Sequence, residues 1–152
     1  MEFEFAKAEN YKTKWPRHGS SVYYEEENIV AYALVTGVGG LVGSDAATLF
    51  SEHGLDVIGI DNDMRAFFFG PEASTAWRLA DLKQRLKSFR VEAIDIRDFE
   101  SVERVIRGLA SDLKVVVHAA AQPSHDWAAR DPFTDFSVNA QGTLNMLEAV
   151  RR

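Results

Sequence analysis

The feature that most constrains the fold is an apolar run, residues 29–36, that ends directly in a glycine-rich turn. Such a run is typical of a strand buried on both faces, as in a parallel sheet. Residues 41–53 after the turn have the pattern of a helix, with Gly54 as its left-handed cap. A helix that begins at a glycine turn offers free N–H donors and a positive dipole end, so the pattern predicts a phosphate-binding loop.

Strands and helices continue to alternate along the rest of the sequence. Further strands are predicted at residues 56–61, 91–96 and 115–118, and further helices at about 74–86, 98–110 and 132–150. Residues 62–71 and 119–131 are predicted loops. Asp98 and Asp131 are the expected N-caps of the last two helices. The final helix carries an apolar stripe formed by Phe136, Ala140, Leu144 and Leu147. The pattern predicts an α/β fold, a doubly wound parallel sheet with helices on both faces, truncated after the fourth strand–helix unit.

Residues 1–28 differ from the rest, because they mix aromatic residues with charge and contain loop chemistry at Trp15-Pro16 and Gly19. We expect an N-terminal arm that need not be ordered, or upstream sequence added by a mistaken start codon. The alternative is a segment that binds a partner. The predicted domain organisation is therefore an arm, 1–28, followed by a partial α/β domain, 29–152.

Composition excludes several classes of function. The formal net charge of −6 argues against a nucleic-acid partner, which would require a basic face. The chain contains no cysteine, so disulfide scaffolds and thiolate sites are excluded. No apolar run is long enough to span a membrane, and the acidic N-terminus is unlike a secretory signal, so we expect a cytoplasmic protein. The four histidines show no metal-ligand spacing, and no metal is expected.

The spacing of the turn glycines is informative. G-x-G-x-x-G fails, because Val42 holds the third place when Gly37 and Gly39 fill the first two, but G-x-x-G-x-x-G fits at Gly37, Gly40 and Gly43. After a buried strand and before a helix, this spacing predicts dinucleotide binding. The alternative is a tight turn that requires glycine only for its own backbone.

Asp61, at the end of the second predicted strand, is the candidate ribose ligand. A carboxylate there accepts hydrogen bonds from the adenosine ribose hydroxyls. Its charge would repel a ribose 2′-phosphate, so NAD is favoured over NADP. The alternative is a turn aspartate, because Asp61-Asn62-Asp63 is typical of a turn.

Several motifs resemble those of the extended short-chain dehydrogenase/reductase family of NAD-dependent epimerases and dehydratases. They are Thr36-Gly37-x-x-Gly40-x-x-Gly43, Asp95-Ile96-Arg97-Asp98, His118-Ala119-Ala120-Ala121 and Asn139-x-x-Gly142-Thr143, in the order that the family uses. Two longer stretches, residues 61–75 and 121–129, resemble loops of the CDP-paratose (CDP-tyvelose) 2-epimerases. The resemblance covers about residues 29–152 and only the N-terminal half of such an enzyme.

The resemblance implies a Rossmann NAD domain followed by a nucleotide-sugar domain, which this sequence does not include. Family members hold NAD tightly, oxidise a sugar hydroxyl, and return the hydride to the other face of the carbon. The implied substrate is a nucleotide sugar, a CDP-sugar by this resemblance. Possible protein partners are a second copy or a complementing C-terminal half.

The glycine turn and the resemblance together give a set of cofactor-binding candidates. They are Gly37, Gly40, Leu41, Val42, Gly43, Asp61, Asn62, Asp95, Ile96, Ala119, Ala120 and Ala121. By the resemblance, Asp95 and Ile96 border the adenine, and Asn139 supports the active-site geometry. Ser124 and His125 lie on the substrate side, where His125 could act as an acid or base or could only pack the loop.

The sequence departs from the family at its catalytic pair. The family uses a tyrosine with a lysine four residues later, and none of Tyr11, Tyr23, Tyr24 and Tyr32 has a lysine at that position. We therefore expect this chain to be inactive alone. The alternatives are a portion of a different nucleotide-sugar 4-epimerase or dehydratase, and a non-catalytic NAD-binding module.

Overall fold

The computed structural model describes residues 30–152, so the predicted arm, residues 1–28, lies outside the described part. Four strands alternate with helices in chain order. The strands are β1 (Tyr32–Thr36), β2 (Asp56–Ile60), β3 (Phe89–Glu92) and β4 (Leu113–His118). The α-helices are α1 (Leu41–Glu52), α2 (Met64–Phe69), α3 (Ala76–Arg85), α4 (Phe99–Leu109), α5 (His125–Arg130), α6 (Pro132–Phe136) and α7 (Gly142–Arg151). No helix in this part of the chain is both long and apolar enough to cross a bilayer.

The strands form one parallel sheet in the order β3-β2-β1-β4. The chain moves outward in one direction from β1 through β2 to β3, and then crosses to the other side of β1 to form β4. Because the strand order reverses beside β1, a crevice opens at the carboxyl ends of the strands, where doubly wound folds bind ligands. The predicted doubly wound sheet is confirmed.

The two faces of the sheet carry separate apolar clusters, because alternate residues of a strand point to opposite faces. Leu34 packs with α4 and α7, through Val102, Ile106 and Met146. Ala33 and Val35 pack on the other face with α1 and α3, through Ala47 and Leu82. Helices therefore cover both faces, which explains why β1 has an almost continuous run of buried residues.

Three local predictions were wrong. The predicted loops 62–71 and 119–131 contain the six-residue helices α2 and α5. The third strand spans Phe89–Glu92 rather than residues 91–96, because its ladder with β2 begins with Phe89 opposite Val57. It ends where the N–H of Ile94 turns back to the carbonyl of Glu92. The other strands and helices agree with their predictions to within a few residues.

The last helix begins as predicted at Asp131 and Pro132, with the Asp131 side chain accepting from the N–H of Thr134. A π-helical turn, Ser137–Gln141, joins α6 to α7. The residues that face the core are Val138, Gly142, Asn145, Met146 and Ala149. The apolar stripe of Phe136, Ala140, Leu144 and Leu147 lies on the exposed side, because α7 packs on α4 and the sheet through its other face.

Candidate functional site

A cavity of about 250 Å³ opens at the carboxyl ends of the strands, beside the point where the strand order reverses. All twelve residues predicted to bind a cofactor line it: Gly37, Gly40, Leu41, Val42, Gly43, Asp61, Asn62, Asp95, Ile96, Ala119, Ala120 and Ala121. They come from four separate segments, each following a strand of the sheet. Parallel pairing brings these segments to one edge, since the carboxyl ends of all four strands meet there.

The first turn of α1 presents unpaired donors to the cavity. Within the described residues, the N–H groups of Leu41, Val42 and Gly43 have no hydrogen-bond acceptor, whereas that of Ser44 binds the carbonyl of Gly40. Three free N–H groups at the positive end of a 12-residue helix form an anion site. The arrangement suits a phosphate or pyrophosphate group.

The turn glycines are required by close packing of the backbone. A Cβ on Gly43 would lie 2.2 Å from the carbonyl oxygen of Gly37, and one on Gly37 would lie 2.7 Å from the backbone nitrogen of Ala120. Gly37 also has φ of +64°, a conformation that other residues adopt only with strain. Gly40 is less confined, because its Cβ would be 3.1 Å from the Gly37 oxygen. The turn therefore sits directly against β4 and the start of α1.

Asp61 is fixed by the same turn. Its Oδ2 accepts a 2.8 Å hydrogen bond from the N–H of Gly39, and its Oδ1 accepts a 2.9 Å bond from the N–H of Asp63. The Thr75 hydroxyl also lies 3.5 Å from Oδ1. A carboxylate has about four acceptor positions, so Oδ2 keeps one free. The geometry is compatible with both roles predicted for Asp61. Its carboxylate orders its own turn, and it also lines the cavity, as a ribose ligand would have to do.

The same contacts explain Gly39, the glycine outside the matching spacing. A Cβ on this residue would lie 2.7 Å from the side chain of Thr75 and 3.0 Å from Asp61 Oδ2. Thr75 is buried and donates through its N–H (2.8 Å) and its hydroxyl (3.1 Å) to Asp63 Oδ1. Burial acts to raise the pKa of Asp63, but hydrogen bonds from Ser74 and Thr75 outweigh it and leave that pKa below its ordinary value.

A second carboxylate, Asp95, lies on the cavity wall near Ile96. Its oxygens accept hydrogen bonds of 2.9 Å from Arg97 Nε and 2.6 Å from the terminal nitrogen of the same guanidinium. The hydrogen bonds from the Arg97 side chain hold the pKa of Asp95 below its ordinary range, although partial burial opposes this. Asp95 is therefore an ionised and oriented acceptor at this end of the cavity.

One wall of the cavity is formed by residues that the sequence motifs did not indicate. Helix α2 contributes Met64, Arg65, Phe68 and Phe69, and Thr75, Ile94 and Pro123 also line the space. The available signal was the run of three phenylalanines, which is unusual in a solvated loop. Phe68 is buried, whereas Phe67 and Phe69 are largely exposed.

The three residues predicted for catalysis lie apart from the cavity lining. Asn139 lies in the π-helical turn, where its Oδ1 accepts from the N–H of Gln122 (2.8 Å) and its Nδ2 donates to the Gln122 carbonyl (3.0 Å). It holds the segment after β4 against α6, and π-helical turns are frequent at functional sites. Ser124 caps α5, and His125 is exposed at the first position of that helix.

His118, at the end of β4, connects the end of β1 to the start of α7 through two side-chain hydrogen bonds. Thr143 donates to the carbonyl of Asn139 (2.6 Å), so its oxygen accepts from His118 Nε2 at 3.1 Å. Thr36 accepts from the N–H of Ala120 and donates to His118 Nδ1 at 2.7 Å. This pattern requires a neutral imidazole with its proton on Nε2. Burial lowers the pKa of His118, which favours the same state.

This arrangement predicts a loss of stability at mildly acidic pH. The folded protein keeps His118 neutral, while the unfolded chain takes up a proton as the pH falls below 6.5, the ordinary histidine value. The free energy of unfolding should therefore fall between about pH 7.5 and 5.5. Urea unfolding at several pH values should show a smaller fall for His118→Gln. The exposed His53 provides the control, because His53→Gln should keep the dependence of the parent; a parent without any dependence would contradict the assignment.

Comparisons with known proteins find relatives among nucleotide-sugar epimerases. The chain is 34% identical over 119 residues to the CDP-paratose 2-epimerase of Salmonella typhi, covering 78% of this chain and 32% of that protein. It is 30% identical over 122 residues to the UDP-glucuronate 4-epimerase of Thermodesulfobacterium geofontis, covering 80% of this chain and 36% of the relative. Among solved structures, the Bordetella bronchiseptica enzyme WbmH in complex with NAD⁺ superposes with a TM-score of 0.59 at 28% identity, over 80% of this chain and 36% of that one.

These matches are confined to one portion of the relatives. The chain spans about a third of the length of the curated proteins it matches, in their N-terminal portion. Residues 33–152 match the family described as NAD dependent epimerase/dehydratase. This match covers most of the chain, which therefore belongs to the NAD-dependent epimerase/dehydratase family.

Proposed function

We propose that this chain binds NAD in the cavity at the carboxyl ends of its strands. The observation that carries the proposal is the set of free N–H groups at Leu41, Val42 and Gly43. They adjoin a glycine turn in which added side chains would collide with the backbone. These N–H groups would hold the pyrophosphate. Asp61 would accept from the adenosine ribose, and Asp95 with Ile96 would border the adenine. The small side chains of Ala119, Ala120 and Ala121 would allow the cofactor to lie close to β4.

When bound, NAD would supply the hydride-transfer chemistry that the family uses at a sugar carbon. This chain's residues would supply the orientation of the cofactor for that chemistry, because binding in a fixed position is the protein's contribution to cofactor catalysis. Asn139 would keep the segment after β4 in place through Gln122, and so act as a positioning residue. Ser124 and His125, just beyond that segment, are candidates for contacts on the substrate side.

Within the family, we propose a CDP-sugar 2-epimerase as the enzyme to which this portion corresponds. Support comes from residues 61–75 and 121–129, and from the 34% identity to the Salmonella typhi CDP-paratose 2-epimerase. A nucleotide-sugar 4-epimerase or dehydratase is the second candidate, supported by the relative from Thermodesulfobacterium geofontis. Replacing the matching portion of each relative with residues 30–152 separates the two. We expect turnover of CDP-paratose by the first chimera and none of UDP-glucuronate by the second.

The choice between NAD and NADP depends on the charge of Asp61. In Asp61→Asn, an oxygen remains to accept from Gly39, while the charge that repels a 2′-phosphate is removed. We expect NAD affinity to fall roughly tenfold and the difference between NAD and NADP to narrow, because hydrogen bonds to charged groups are worth about 1.5–3 kcal/mol. Titration calorimetry with both cofactors measures this. Asp81→Asn, at an exposed carboxylate of α3, is the control and should change neither affinity; tighter binding of NADP by the parent would reject the assignment.

The exposed apolar face of the last helix is the candidate surface for a protein partner. Phe133 and Phe136 of α6, and Leu144, Leu147 and Val150 of α7, are each more than half exposed. Several large apolar side chains exposed on consecutive helices are typical of a surface that binds protein. We propose that a second copy, or the C-terminal portion of an enzyme of this family, covers it. Sedimentation velocity should show self-association of the chain that is lost in Leu144→Glu/Leu147→Glu. Leu49→Glu, at a half-exposed leucine on α1, should still associate, and a strictly monomeric parent would contradict the self-association.

A further inference from the structure

Two helices that follow different strands meet at the rim of the cavity. Helix α2 follows β2, and α5 follows β4, with β1 lying between these strands in the sheet. The indole Nε1 of Trp127 donates a 2.6 Å hydrogen bond to the carbonyl oxygen of Phe68. The rings of Trp127 and Phe68 also pack edge to face, with centroids 5.3 Å apart. The Trp127 ring lies 5.5 Å from that of Phe67. We call these three residues the aromatic clasp.

The clasp acts on the cavity through Phe68. Phe68 is buried and lines the cavity, together with Phe69 of the same helix and Pro123 of the segment before α5. Trp127 does not line the cavity, but its side chain contacts both the backbone carbonyl and the ring of Phe68. In the described part of the chain, no other hydrogen bond joins α2 to residues 119–131. Within the described residues, the Trp127 side chain therefore makes the hydrogen bond that joins these two walls.

Helix α2 has the local structure of an element that can move. It is six residues long and lies between two residues in left-handed conformations, Asp63 at φ of +54° and Gly70 at +91°. Such positions at the ends of an element can absorb the backbone rotation of a hinge. At its N-terminal end, Asp63 is anchored to Ser74 and Thr75. Opening of the clasp would thus leave Asp61 and the glycine turn undisturbed.

We propose that the aromatic clasp is the gate of the dinucleotide cavity, and that Trp127 sets how often the gate opens. This inference rests on the proposed binding of NAD. The contacts of the clasp join the two walls to each other and need no ligand, so the clasp opposes entry and exit alike. Weakening it should therefore increase both the association and the dissociation rate of the cofactor. A residue that only added binding energy would change dissociation alone.

Stopped-flow measurement with NADH on the complete 152-residue chain tests the gate. Association is followed by NADH fluorescence, and dissociation by displacement with excess NAD. Trp127→Leu removes both the hydrogen bond and the ring pair, so we expect both rate constants to rise roughly tenfold or more, with a smaller change in Kd. Trp127→Phe keeps a ring and loses only the hydrogen bond, and should raise both rates by a smaller factor, roughly threefold to fivefold.

Trp77 provides the matched control, because it is 64% exposed on α3 and lies outside the cavity lining. Trp77→Leu should leave both rates unchanged. If the parent binds NADH but Trp127→Leu changes neither rate by more than about twofold, or changes dissociation alone, the gate is wrong and the proposed cofactor site stands. If the parent does not bind NADH, the proposed function fails and the gate fails with it. If Trp127→Leu does not fold, the association and dissociation rate constants of Trp127→Phe test the gate instead.

Discussion

Gly43→Ala should destabilise this protein by about 3 kcal/mol, because overpacking a tight contact displaces backbone. The added Cβ would lie 2.2 Å from the Gly37 carbonyl oxygen and 2.8 Å from the Cα of Val38, and neither atom belongs to a flexible side chain. The turn would have to move away from α1, which would also displace the free N–H groups of Leu41 and Val42. We therefore expect NAD binding to be lost together with the stability. Urea unfolding and a cofactor titration measure the two effects.

Gly108→Ala is the control for this substitution. Gly108 also lies in a helix, α4, but a Cβ there would have no atom within 4 Å. Alanine is favoured over glycine in helices, so this variant should gain about 0.5–1 kcal/mol and bind NAD normally. Equal effects of the two substitutions would show that helix propensity, not the contact with Gly37, decides the outcome at Gly43.

The second large effect is a complete absence of sugar epimerisation by this chain alone. Hydride transfer from a sugar carbon requires a base that removes the hydroxyl proton, and the family's Tyr-x-x-x-Lys pair does not occur in these 152 residues. Tyr32 is the one tyrosine within the described residues, and it begins β1, at the end of the strand opposite the cavity. Purified chain with NAD and CDP-paratose, followed by NMR, should show no conversion.

The chimera that carries these residues in the Salmonella typhi CDP-paratose 2-epimerase serves as the positive control for this assay. It restores the portion that the chain does not span, so it should convert CDP-paratose under the same conditions. Turnover by the 152-residue chain without any second polypeptide would contradict the prediction. His125, exposed at the start of α5, would then be the first residue to replace, as His125→Gln.

The sheet could be predicted from the sequence because it depends on local patterns. Buried apolar runs marked β1 and β2, and the alternation with helices predicted their parallel pairing. The ends of the third strand could not be predicted in the same way. They depend on the ladder between Val57 and Phe89, residues far apart in the sequence.

The same distinction applies to the candidate site, because residues in local patterns could be predicted and tertiary contacts could not. Glycine spacing and strand ends located the turn, Asp61 and residues 119–121, since each follows directly from its own segment. Helices α2 and α5 are too short for a periodic pattern, and the contact between Trp127 and Phe68 joins residues 59 positions apart. The two hydrogen bonds between Asn139 and Gln122 are also tertiary contacts, and the motif around Asn139 gave no indication of its partner.

The most direct test of the central claim is an amide ¹H–¹⁵N correlation spectrum of the chain during titration with NAD. If NAD binds in the cavity, saturable shifts should be concentrated there, above all in the free N–H groups of Leu41, Val42 and Gly43, with further shifts at Asp61, Ile96 and Ala120. The signals of amides outside the cavity, such as that of Glu148 in α7, should not shift. A spectrum that NAD leaves unchanged, or shifts that avoid the residues of the glycine turn, would contradict binding of NAD in this cavity.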